Sequence, residues 1–148
     1  MKILFVCTGN TCRSPMAEYI AKAMLKEENI ESVKVASAGI AVNEGDIIAP
    51  NSVAALKTLG IKAGKRKAKQ LTEKMIKSCD VVLTMTLSHK KALSAFPNVY
   101  TLGEYAGGYG DVPDPFGGSE EVYRSTAKAL SVLISKALER FVKENALR

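Results

Sequence analysis

One histidine and three cysteines, with no cysteine pair at metal-type spacing, leave this chain poorly equipped to hold zinc. Cys7, Cys12 and Cys79 are also too few, and odd in number, for a disulfide framework. No apolar run approaches the ~20 residues that cross a bilayer. Ile3 to Val6 is apolar but too short for a signal-peptide core, and no small-residue cleavage site follows it. Internal repeats and dividing linkers are missing as well, so residues 1–148 are expected to form a single domain around one core. Together these absences predict a cytoplasmic protein, off the membrane, with no metal or other cofactor; a monomer is the simplest expectation.

Acidic residues are the scarcer sign. The 21 Lys and Arg against 15 Asp and Glu give a net charge of +6, which suits anionic partners without selecting one. Basic residues concentrate at Lys62, Lys65, Arg66, Lys67 and Lys69. No aromatic side chain is interleaved there, which argues against single-stranded nucleic acid, and no nucleic-acid partner is expected. Two readings stay open for this segment: a solvated surface stretch, or an electrostatic docking patch.

The apolar run Ile3–Leu4–Phe5–Val6 suits a buried strand. A helix should follow from Pro15, with Ala17, Ile20, Ala21, Met24 and Leu25 on one face and Ser14 as a candidate cap. Further strands are expected over Val33 to Ala38, Asp80 to Thr84 and Val99 to Leu102. Helices should begin at Pro50 and at Thr72, run from Ser88 to Phe96, and present Leu130, Leu133, Ile134, Ala137, Leu138 and Phe141 on one last face. Residues 103 to 118, rich in glycine and proline, read as one long loop, and loops of that length are usually functional or disordered. Strands alternating with helices imply an α/β fold: a four-stranded parallel sheet with helices on both faces. Sites in such sheets lie beyond the carboxyl ends of the strands, where strand order reverses.

The segment beginning where the first strand ends is Cys7-Thr8-Gly9-Asn10-Thr11-Cys12-Arg13-Ser14-Pro15. A cysteine and an arginine separated by five residues can close a loop around one phosphate. Consecutive backbone N–H groups of Thr8, Gly9, Asn10, Thr11 and Cys12 can point inward as an anion nest. Gly9 frees the backbone, Asn10 tolerates a left-handed conformation, and the following helix directs its positive end at the same point. Arg13 can grip two phosphate oxygens in a planar fork. The same surroundings suit a thiolate nucleophile at Cys7, to which Ser14 could donate a hydrogen bond. No Gly-Lys-Ser/Thr follows, so a Walker-type nucleotide loop is excluded.

This segment resembles the signature loop of the low-molecular-weight protein tyrosine phosphatase family. The likeness extends to Ser37-Ala38-Gly39, Met85-Thr86 and Asp114-Pro115-Phe116. It implies a metal-independent protein phosphatase that forms a phosphocysteine at Cys7 and acts on phosphorylated proteins. By resemblance Asp114 is the general acid, with Asp111 as fallback, and Pro115 biases Asp114 toward an extended presentation. By resemblance, too, Cys12 would trap an oxidised Cys7 as a disulfide, making the two a redox pair. Cys79 and His89 read as structural.

Most of that family carries an aliphatic residue where this chain has Thr11, and the departure resembles the bacterial protein arginine phosphatase branch. A hydroxyl makes the pocket wall polar and slightly smaller, which suits a guanidinium better than a phenyl ring. Asp114 could bind that guanidinium and Phe116 could stack on it. Phosphoarginine in proteins is therefore the expected substrate, with phosphotyrosine as the alternative. A thioredoxin-coupled arsenate reductase would need further cysteines, and residues 84 to 148 contain none. A phosphocarrier would not need Asp114.

Overall fold

Lys2–Cys7 forms β1, and after Lys2 every side chain in it is buried. Successive strand residues point to opposite faces, so this strand feeds two cores at once. Ile3, Phe5 and Cys7 join a cluster with Met16, Ile20, Leu130 and Ile134, while Leu4 and Val6 meet Ile76, Val82, Leu93 and Val99 on the other side. A continuous apolar run is what a central parallel strand with both faces covered requires. The computed structural model describes residues 1–147.

The other strands are β2 (Lys34–Gly39), β3 (Val81–Thr84) and β4 (Val99–Thr101). They pair in the order β2-β1-β3-β4, every pair parallel. Helices α1 (Arg13–Glu27), α2 (Pro50–Thr58), α5 (Leu102–Ala106) and α6 (Glu120–Glu144) contribute to the first cluster. Helix α3 (Glu73–Lys77) contributes Ile76 to the second, and Leu93, which ends α4 (Leu87–Ala92), packs there as well. The expected four-stranded parallel α/β architecture is therefore the one observed. Strand order reverses around β1, so the carboxyl end of β1 at Cys7 sits where a ligand crevice opens.

Three local expectations are corrected. Ser14 does not cap α1: Cys12 occupies the N-cap without a side-chain hydrogen bond, and Ser14 lies buried in the first turn. Its hydroxyl is turned to the loop instead. The fourth strand stops at Thr101, and the expected loop from residue 103 begins with α5, opened by a capping box in which Thr101 and Glu104 satisfy each other's backbone N–H. The glycines around it obscured that signal. Helix α4 ends at Ala92, short of the expected Phe96, once Leu93 turns inward to the core.

Candidate active site

Cys7 ends β1, Arg13 begins α1, and the five residues between them form a tight loop. Among the described residues, the backbone N–H groups of Thr8 through Arg13 donate to no protein acceptor. Such a run of unpaired amides, in a loop whose residues range from exposed Thr8 to buried Asn10, Cys12 and Arg13, is free to take an anion or water. Asn10 holds the turn with φ at 56°, in the left-handed region. Three hydrogen bonds offset that strain: its Nδ2 donates to Ser14 Oγ at 2.7 Å and Ser37 Oγ at 3.0 Å, and its Oδ1 accepts from the Lys69 N–H at 2.9 Å. Gly39 lets β2 approach the loop. A Cβ there would stand 2.6 Å from the Thr8 carbonyl oxygen and 2.9 Å from the Asn10 nitrogen.

A hydrogen-bond network backs the loop, and among its donors Arg66 Nη1 is buried with no partner among the described residues. Ser37 Oγ donates its single proton to Glu18 Oε1 at 2.7 Å and accepts from Asn10 and from Arg66 Nη2 at 2.9 Å. Asn10 occupies a lone pair of Ser14 Oγ, which lies 2.9 Å from Cys7 Sγ and 3.4 Å from the Ala38 carbonyl oxygen. Ser14 has one proton, so it donates to the Ala38 carbonyl while Cys7 is a thiol that can donate to it, and it can turn that proton to the sulfur when Cys7 is a thiolate. A hydrogen-bonded chain thus runs from the partly buried Glu18–Arg66 ion pair (2.7 Å) through Ser37, Asn10 and Ser14 to Cys7. The solvated reading of the 62–69 segment fails for Arg66, whose side chain is only 12% exposed. Glu18, Ser37 and Arg66 were missed as site residues. Glu18 lies four residues after Ser14 on an otherwise apolar face of α1, and that spacing was the available signal.

Above the loop a cavity of about 240 Å³ is lined by Cys7, Thr8, Gly9, Thr11, Cys12 and Arg13. Ala41, Asn43, Asp46, Asp114 and Phe116 complete its walls. Arg13 is buried, with Nη1 donating to the Val112 carbonyl at 3.0 Å and Nη2 standing 3.6 Å from Asp114 Oδ2. The second Asp114 oxygen accepts the Phe116 N–H at 3.1 Å, an Asx turn that fixes the carboxylate over the pocket while half of it stays exposed. Phe116 is 77% exposed at the mouth. Asp111 is elsewhere: its carboxylate accepts the Leu87 N–H at 2.9 Å, at the start of α4.

Cys12 Sγ lies 3.3 Å from the Tyr123 hydroxyl and 3.6 Å from Thr11 Oγ1. Burial, then the Cys12 contact, push Tyr123 well above the ordinary phenol range, so the phenol keeps its proton. Thr11 is held through its backbone, its carbonyl accepting from Ala49 N–H at 2.9 Å and Ser52 Oγ at 3.1 Å. His89 meets Thr8 Oγ1 with its Nε2 at 2.9 Å, while its buried Nδ1 has no partner among the described residues. Burial, then the Arg13 charge, hold its imidazole below the usual value, which keeps it neutral beside the phosphate loop. Cys79 belongs to the second core cluster, and burial raises its thiol. No group of three potential metal ligands occurs among the described residues.

A cysteine at the centre of a pocket ringed by free amides, a buried guanidinium and an overhanging carboxylate can accept a phosphoryl group and release it to water. Known proteins resemble this chain along its length. The chain is 40% identical to a protein-arginine-phosphatase of Bacillus subtilis, over 97% of this chain and 99% of the relative. It is 43% identical to a low molecular weight protein-tyrosine-phosphatase of Staphylococcus haemolyticus, covering 92% and 96% respectively. Among solved structures, a YwlE arginine phosphatase C7S mutant with a phosphorylated active site serine superposes with a TM-score of 0.92 at 38% identity, all of both chains being covered. A family model described as low molecular weight phosphotyrosine protein phosphatase matches residues 2–147. From residue 2 to residue 147 the chain belongs to that family, and it is a protein phosphatase.

Proposed function

We propose that this phosphatase removes phosphate from phosphoarginine in proteins by way of a phosphocysteine at Cys7. Cys7 Sγ attacks phosphorus, and the bond from phosphorus to the guanidinium nitrogen breaks as Asp114 delivers its proton to that nitrogen. Water then attacks the phosphocysteine. Asp114, now a carboxylate, takes the water's proton, and the sulfur–phosphorus bond breaks to return the Cys7 thiolate and inorganic phosphate. The free loop amides and Arg13 hold the phosphoryl oxygens through both steps. A phosphorylated serine in the related arginine phosphatase mutant supports a covalent route.

One observation carries the choice of substrate. Two acidic residues, Asp46 and Asp114, line the same pocket, and Thr11 lines it too. Among the described residues Asp46 has no cation within 4 Å, so its charge is available to a ligand. A guanidinium brings a positive charge and several N–H donors to such a mouth, whereas a phenyl ring brings neither. The phosphotyrosine reading draws on Phe116, exposed at the mouth and able to face a ring.

Phosphoarginine and phosphotyrosine peptides of one sequence, compared by kcat/KM, test the choice. Thr11→Ile is expected to lower the phosphoarginine value and to preserve or raise the phosphotyrosine value, shifting the ratio about tenfold to a few hundredfold. Thr11→Val deletes the hydroxyl at nearly constant volume, and Asp46→Asn should act in the same direction by about tenfold. A wild-type preference for phosphotyrosine would replace this reading with the alternative.

Cys12 shares the pocket with Cys7, which supports a protective disulfide. Peroxide oxidises the Cys7 thiolate to a sulfenic acid, and the Cys12 thiol displaces water from it to form the S–S bond. Mild peroxide is expected to inactivate the enzyme reversibly, with a Cys7–Cys12 link visible by mass spectrometry. Full thiol recovery in Cys12→Ser would remove this role.

A further inference from the structure

The basic segment has an order that composition alone conceals. From residue 65 to 69 the chain is extended and tied at two points, an antiparallel bridge between Ile47 and Lys67 and a parallel bridge between Gly39 and Gln70. Side chains in extended chain alternate between two faces. Arg66 and Ala68 fall on the inner, partly buried face, and Lys65, Lys67 and Lys69 fall on the outer, exposed one. Arg66 anchors the arrangement by reaching Glu18 at 2.7 Å and Ser37 at 2.9 Å. The three outer lysines, and Lys62, have no carboxylate within 4 Å among the described residues.

This strip is tied to the loop and to one pocket-lining residue. The Lys69 N–H donates to Asn10 Oδ1 at 2.9 Å, beneath the phosphate loop. The Ala68 N–H donates to the carbonyl of Asp46, whose residue lines the pocket wall. Alternate residues of extended chain are about 6.6 Å apart. The three lysines therefore leave the backbone at the spacing of same-face side chains on a second extended peptide laid alongside. We infer that Lys65, Lys67 and Lys69 form a docking rail for acidic residues flanking the phosphorylated residue of a substrate protein. The inference rests on the protein phosphatase activity and is independent of the choice between phosphoarginine and phosphotyrosine.

The placement gives the substrate a polarity. The phosphoryl group enters the pocket and the lysines stand along the rail, so acidic neighbours of the phosphorylated residue meet opposite charge there. A nucleic acid fits less well, because residues 62–70 offer no aromatic side chain on which a base could stack, and the facing loop adds Glu44 and Asp46.

The test measures kcat/KM for peptides whose flanks are either Glu-rich or Gln-rich, each made with phosphoarginine and with phosphotyrosine, at low and high salt. The variant is Lys65→Gln/Lys67→Gln, with Lys69 kept because its backbone supports Asn10. Turnover of p-nitrophenyl phosphate, which has no flanks, reports on folding and chemistry and is expected to stay unchanged. Wild type should prefer the acidic flank about threefold to tenfold, mainly through KM, and lose that preference at high salt. The double variant should lose it at low salt, and Lys65→Glu/Lys67→Glu should invert it. Equal rates on both flanks in wild type, or a preference that survives the double variant, overturn the rail. Salt-sensitive inhibition by an oligonucleotide, lost in the variant and without any flank preference, overturns it in favour of nucleic acid. An acidic preference seen with both phosphorylated residues alongside faster phosphotyrosine turnover upholds the rail while the phosphoarginine reading falls.

Discussion

Cys7→Ser is expected to lower steady-state turnover by at least about 10⁴-fold, the scale of losing a nucleophile, while phosphate or vanadate binding stays largely intact. The sulfur is one atom of the site. The free amides from Thr8 to Arg13 and the buried Arg13 guanidinium remain in place to hold the anion. Serine preserves the contact geometry to Ser14, now 2.9 Å from Cys7 Sγ, so the loop should keep its shape. Serine can still be phosphorylated, as the related arginine phosphatase mutant was, but an alkoxide leaves phosphorus far less readily than a thiolate, so the second step stalls. Burst kinetics with a phosphopeptide, followed by mass spectrometry of the intact protein, should show about one phosphate retained per chain. Near-normal turnover by the serine variant would sink the nucleophile assignment.

The second large effect is expected at Asp114. Asp114→Asn should slow phosphopeptides with poor leaving groups by about 10²–10³-fold and activated aryl phosphates much less, because only a poor leaving group needs a proton in the transition state. Asparagine keeps an oxygen able to accept the Phe116 N–H, so the loop conformation at 3.1 Å survives and the loss is chemical. The pairing with Arg13 at 3.6 Å disappears, yet Arg13 Nη1 stays fixed on the Val112 carbonyl. Asp111→Asn provides the contrast. Its carboxylate serves the start of α4 through the Leu87 N–H, so the variant should leave the leaving-group dependence unchanged. A uniform small loss at Asp114, with a steep leaving-group effect at Asp111, would transfer the role.

The phosphate loop was legible because everything it needs locally lies within nine residues. A buried strand, a glycine, an asparagine able to turn left-handed and a helix start are each encoded by neighbours in sequence. Helix α6 was legible for the same reason, since its apolar residues repeat at one helical period over 25 residues. Ser14 shows where local reading misleads. Hydroxyls before a helix often cap it, but here Asn10 and Cys7 claim the side chain, because leaving Asn10 Nδ2 unpaired in a buried loop would cost more than an uncapped helix end.

By itself, then, the sequence determined the parallel α/β fold and the cysteine-to-arginine loop at the end of its first strand, while the family resemblance pointed to Asp114 with Asp111 as fallback. Only the tertiary structure decided what stands behind and around that loop. Glu18 and Arg66 meet across 48 residues, Cys12 and Tyr123 across 111, and Thr8 and His89 across 81. It also split five neighbouring basic residues into one partly buried anchor and a row of exposed lysines, and brought Asp46 to the same pocket as Asp114. The physical reason is that a loop or helix is set by dihedral preferences and apolar periods that neighbours carry. A buried polar network exists only when distant donors and acceptors are brought within hydrogen-bond reach, and no local pattern records that distance.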